Sequence, residues 1–93
     1  MKLSARLQMQ CELWATSFVA NMFASFIPSG SRGPAFTWAK FPDMVARWAS
    51  SRVHLDFPDF GDDNLTKRQV LKDFVSERAK QIAHRLVKEA EFV

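Results

Sequence analysis

The sequence contains no Tyr, a single Cys (Cys11), only three Gly and four Pro. One cysteine excludes an internal disulfide and any zinc or iron–sulfur site built on several thiolates. It also suits a reducing compartment. Few glycines leave no Gly-rich phosphate loop, and neither a His-Glu-x-x-His nor a Gly-x-Ser-x-Gly pattern occurs. Long apolar runs are missing too. The uncharged stretch Leu13 to Ile27 is broken by Thr16, Ser17, Asn21 and Ser25 and follows Glu12. It is too short and too polar for a spanning helix, and too dilute for an export signal. Export and membrane insertion are therefore not expected, and the chain reads as cytoplasmic.

What is present is apolar mass in the form of nine Phe and three Trp among 93 residues. That length suits one domain spanning residues 1–93, with a thin stability margin. The charged fraction of 25% is too low for disorder. The net charge is +3, unevenly placed: six bases and two acids in 1–54, four Asp and no base in 55–65, seven bases and four acids in 66–93. An acidic connector thus separates two mildly basic segments.

Apolar periodicity predicts an all-α fold, a small bundle of about three helices. Leu3, Leu7, Cys11, Trp14, Phe18 and Met22 recur at steps of three or four, predicting a long apolar helix over about 3–26. A second set, Met9, Leu13, Ala20, Phe23 and Ile27, lies on a neighbouring face, so this helix is apolar over much of its circumference. Such helices are central or shared with a partner. The Pro- and Gly-rich segment 28–36 is a loop. A shorter helix over about 42–52 follows, with Pro42 at its first position, Asp43 beside it and an aromatic stripe of Trp38, Phe41, Val45 and Trp48.

After an acidic connector at 54–65, a long amphipathic helix is expected over about 66–90. Thr66 and Gln69 form a capping-box pattern, with Leu65 and Val70 as a hydrophobic staple. Glu77–Lys80 and Arg85–Glu89 stand at ion-pairing spacings. Phe74-Val75-Ser76 has no Gly, and Lys80 stands where a helix-turn-helix would bury an apolar side chain, so that motif is rejected. Residues 52–57 alternate briefly but have no pairing partner, and no strand is expected.

Catalytic, cofactor and metal residues are not expected. Cys11 lies on an apolar stripe and reads as a structural thiol. Asp56, Asp59, Asp62 and Asp63 lack the spacing of an EF-hand loop, so turn formation and favourable charge before a helix N-terminus account for them. His54 and His84 have no sequence neighbours that complete a ligand set.

The preferred reading is a small non-catalytic protein-binding module, an adaptor or inhibitor of the kind that phages and mobile elements encode. It would act by occupying a partner's surface. The candidate interface comprises Trp14, Phe18, Phe23, Trp38 and Trp48, whose aromatic area exceeds what a small core absorbs. A second copy of the chain is one form of partner. The alternative is a basic nucleic-acid-binding accessory protein using Arg32, Lys67, Arg78, Arg85 and Lys88, although interspersed acids dilute that face. A membrane-surface role for the first helix ranks third.

Overall fold

The structure, a computed structural model, describes residues 3–26, 38–57 and 65–90, except for the side chains of residues 26, 38 and 90. It contains three α-helices: α1 (Ala5–Phe26), α2 (Phe41–Asp56) and α3 (Leu65–Ala90). A single 3₁₀ turn, Trp38–Lys40, leads into α2. Among the described residues there is no strand. The fold is an all-α bundle.

The helix ends have local causes. Ser4 caps α1, its Oγ accepting the Leu7 N–H at 3.2 Å while its carbonyl accepts Gln8 N–H at 2.9 Å. The Gln8 side chain returns to the Leu3 carbonyl at 2.9 Å. In α2 the first helical residue is Phe41, with Pro42 second; either position leaves the missing proline donor harmless. The helix then continues four residues past the expected end at Arg52. Val53 is wholly buried, and its place on the core row draws the extra turn into helix. Phe57 has left the helical region at φ −127°, ψ 60°, as expected of a residue that precedes Pro58. The segment 54–56, expected to be connector, is therefore the last turn of α2.

Helix α3 begins at Leu65, so Thr66 stands inside the helix and the cap position falls at residue 64, outside the described residues. Gln69 donates to Asp73 at 2.8 Å, and Leu65 is 78% exposed, so the expected staple with Val70 does not bury it. The helix runs unbroken through Val75–Ser76, consistent with rejecting a helix-turn-helix.

Each helix meets the core through residues exactly one α-helical ridge apart. The buried rows are Leu3, Cys11, Ala15 and Val19, with half-buried Leu7 in the gap; Phe41, Val45, Ala49 and Val53; and Leu71, Val75, Ala79, Ala83 and Val87. A row at steps of four runs obliquely across a helix and is the ridge that fits a groove of its neighbour. The stripes expected from aromatic spacing are displaced. Trp14, Phe18, Phe74 and Ile82 flank the rows as half-buried side chains, whereas Ala15, Ala49, Ala79 and Ala83 on the rows are wholly buried.

The central helix is α3. It packs most extensively on α2 and also along α1, whereas α1 and α2 touch sparingly. Of the two places open to the apolar first helix, central or shared with a partner, the centre is taken by α3, which carries the buried row Leu71, Val75, Ala79, Ala83 and Val87. Among the described residues, ion pairs join it to its neighbours from Arg78 Nε to Glu12 Oε2 at 3.1 Å and from Lys80 Nζ to Asp43 Oδ1 at 3.3 Å. Lys80 therefore serves α2 rather than Glu77, whose Oε1 accepts from Gln81 at 3.3 Å. Both pairs are partly exposed, worth about 0–1 kcal/mol each, and act mainly on register.

Replacing Ala79 by Leu is expected to cost about 1–3 kcal/mol in urea unfolding, because the seam has no room. Ala20→Leu, on the exposed side of α1, should stay within about 0.5 kcal/mol.

Candidate functional site

Because α1 and α2 both lean on α3 and scarcely on each other, a groove opens between them. Its volume is about 770 Å³. Helix α1 lines it with Trp14, Ser17, Phe18, Asn21 and Met22, and α2 with Trp48, Ser51, Arg52 and Asp56. The spacing explains the lining: Trp14, Phe18, Trp48 and Arg52 stand one position before a buried residue and Ser17, Asn21 and Ser51 two after one, so the helical phase that buries Ala15, Val19 and Ala49 leaves Trp14, Phe18 and Trp48 half-covered.

The floor is aromatic. Trp14 and Phe18, one turn apart, stack at 4.9 Å with their planes 8° from parallel. Across the groove, the Trp14 indole N–H donates to Asp56 Oδ2 and links the sparingly packed α1 and α2. This hydrogen bond satisfies the polar edge of Trp14 while its ring remains against apolar neighbours.

Of the five expected interface residues, Trp14, Phe18 and Trp48 come together here. Phe23 does not. It lies against Phe41 edge to face, centroids 5.8 Å apart, and ties the end of α1 to the start of α2. The side chain of Trp38 lies outside the described residues. Spacing puts Phe18 on the first stripe and Phe23 in the second apolar set of the first helix, while aromatic type alone grouped them.

A second uncovered surface lies on the far side of α1. Met9 and Leu13 are 69% and 68% exposed, and Thr16, Ser17, Ala20, Asn21 and Ala24 are exposed beside them. No residue of α1 from Leu13 to Ser25 bears a charge. Met9 and Leu13 belong to the second apolar set of the first helix, which periodicity revealed but aromatic content did not single out. Leu55, 63% exposed on α2, is a further apolar residue in contact with solvent.

The basic residues of α3 differ in their surroundings. Arg78 is engaged by Glu12, lies 5.5 Å from the Phe74 ring centroid and donates to Gln81 at 3.3 Å. Lys67 is half-buried and has its own interactions, while Arg85 and Lys88 are exposed further along. Arg32 lies outside the described residues, as do Asp59, Asp62 and Asp63 of the acidic connector. Among the described residues no cluster of His, Cys, Asp and Glu could hold a metal ion. No described helix is long and apolar enough to cross a membrane.

Cys11 is fully buried on the α1 row, and burial pushes its thiol up to about 11. A neutral buried thiol is a poor nucleophile. Cys11 should therefore resist alkylation at pH 8 in buffer and react at once in denaturing urea. Because the folded value exceeds the ordinary 9.0, its contribution to stability is complete below about pH 9 and is lost as pH rises towards 11. For the link across the groove, Asp56→Ala should lower the unfolding free energy by about 1 kcal/mol, read as a lower urea midpoint at unchanged slope. Compared with known proteins, the chain matches no protein-family model, no curated protein and no solved structure.

Proposed function

We propose that this chain is a small protein-binding module, an adaptor or inhibitor of the cytoplasm that works by occupying a partner's surface and not by catalysis. One observation carries the reading: α1 faces solvent from Leu13 to Ser25 without a single charge, on its outer side and along the groove alike. Uncharged helical surface of that extent, with Met9 and Leu13 at its start and an aromatic groove along its edge, is the usual mark of an interaction site. Large half-buried aromatics at Trp14, Phe18 and Trp48 supply the anchors on which binding energy concentrates.

The nucleic-acid alternative draws less support. Phosphate affinity grows with the number of neutralised phosphates, and the α3 bases are divided between an interhelical ion pair and scattered exposed positions.

Affinity capture with the 93-residue chain as bait, with and without nuclease, tests the reading. Expected is a discrete set of nuclease-insensitive proteins that diminishes with a Met9→Glu, Leu13→Glu double variant or with Trp48→Ala. Capture that disappears on nuclease treatment favours the alternative. A chain that captures nothing and stays monomeric at high concentration by light scattering sinks the proposal, since neither a partner nor a second copy would then cover α1.

A further inference from the structure

On the outer side of α1, exposed Met9 and Leu13 are followed along the same face by Thr16, Ala20 and Ala24, also exposed. The face therefore has two halves, with large side chains towards the start of the helix and small ones towards its end. Turned end to end, it is its own complement in shape. A second α1 laid antiparallel sets Met9 of one copy over Ala24 of the other and Leu13 over Ala20. A two-fold contact makes each of these pairings twice. Laid parallel, the large residues would meet one another at one end and leave a gap between alanines at the other.

Charge and hydrogen bonding suit the same contact. Near a two-fold axis a side chain meets its own counterpart, so a charge there would face its like. No charge stands between Leu13 and Ser25, and at the edge of the face the Glu12 carboxylate is held by Arg78 of its own chain. The Thr16 hydroxyl donates to the Glu12 carbonyl at 2.8 Å and the Ser25 hydroxyl to the Asn21 carbonyl at 2.9 Å. Covering them strands neither donor.

The area sets the strength. From Met9 to Ala24 the axis advances about 22 Å and a helix is about 10 Å across, so the strip measures roughly 220 Å². A standard interface removes about 800 Å² from each partner. The face therefore supports a weak, reversible pair that forms as concentration rises.

We propose that the outer side of α1 packs antiparallel on the same side of a second copy, about an axis beside Thr16 and Ser17. The inference rests on the protein-binding reading above and names the occupant of this face. Its use is bivalence: pairing sets two α1–α2 grooves on one particle, and a partner with repeated binding segments is held at both.

Sedimentation equilibrium of the whole chain should show monomer and dimer in exchange, with a dissociation constant weaker than about 1 μM. Leu13→Glu should weaken the pair at least about tenfold, because it covers an unpaired carboxylate. Position 13 is exposed, so circular dichroism checks that this variant folds. Raising the salt should leave the pair as strong or stronger, since the contact is uncharged and the net +3 of each chain is screened. Orientation is read from disulfides formed in a glutathione buffer, with Cys11 buried. Met9→Cys and Ala24→Cys chains should link to each other when mixed. Met9→Cys alone should not link to itself, because antiparallel copies hold its two sulfurs about 22 Å apart.

A chain that is monomeric at every concentration, a dimer indifferent to Leu13→Glu, or Met9→Cys chains that link to themselves and not to Ala24→Cys overturns the proposal. If a strictly monomeric chain still captures proteins, the protein-binding reading stands and only self-pairing falls. If capture fails as well, both fall.

Discussion

The constraint on which the rest of the structure depends is how closely α3 is approached by its two neighbours. Ala79 and Ala83 on α3, Ala15 on α1 and Ala49 on α2 stand at the seams, all with no exposed surface. Small side chains there let helix axes draw together, and the oblique rows of Val and Leu then interdigitate on either side. A helix can present only so many ridges at such a distance. Two neighbours on α3 use them, and α1 and α2 are left facing each other across a gap. The groove is therefore a result of how the core closes, not an irregularity at its edge.

That geometry also explains where the aromatics go. Trp14, Phe18 and Trp48 are too large for the seams and occupy the shoulders, where part of each ring meets solvent. Phe41 is the exception, wholly buried at the start of α2 and covered in part by the edge-on ring of Phe23. The ion pairs from Glu12 and Asp43 to α3 then fix how each outer helix is set along the central one.

Much of the fold was legible in the residues. Three helices follow from periodicity, and the breaks between them from proline, glycine and aspartate. The order of packing was not legible, for a definite reason. Hydrophobic spacing weighs Trp and Phe most heavily, whereas burial here follows Ala, Val and Cys at steps of four. Val87 sits on that row, while Phe74 and Leu86 only flank it. The end of α2 was missed because His54, Leu55 and Asp56 resemble a connector, and Val53 decides the matter through its burial. The candidate site was half legible: its aromatic residues stand out by type, but that α1 and α2 would be held apart depends on contacts that each makes with α3.

Folding and contact are assigned to different phases of the same helix. On α1 the core reads positions 11, 15 and 19, the groove reads 14, 18 and 22, and the outer side reads 9, 13 and 20. These sets interleave along one helix, and Ser17 and Asn21 stand between the second and the third. Drift at the third set leaves the seam with α3 intact, whereas the second packs against the core and tolerates less. The outer side of α1 would then diverge much faster than its buried row.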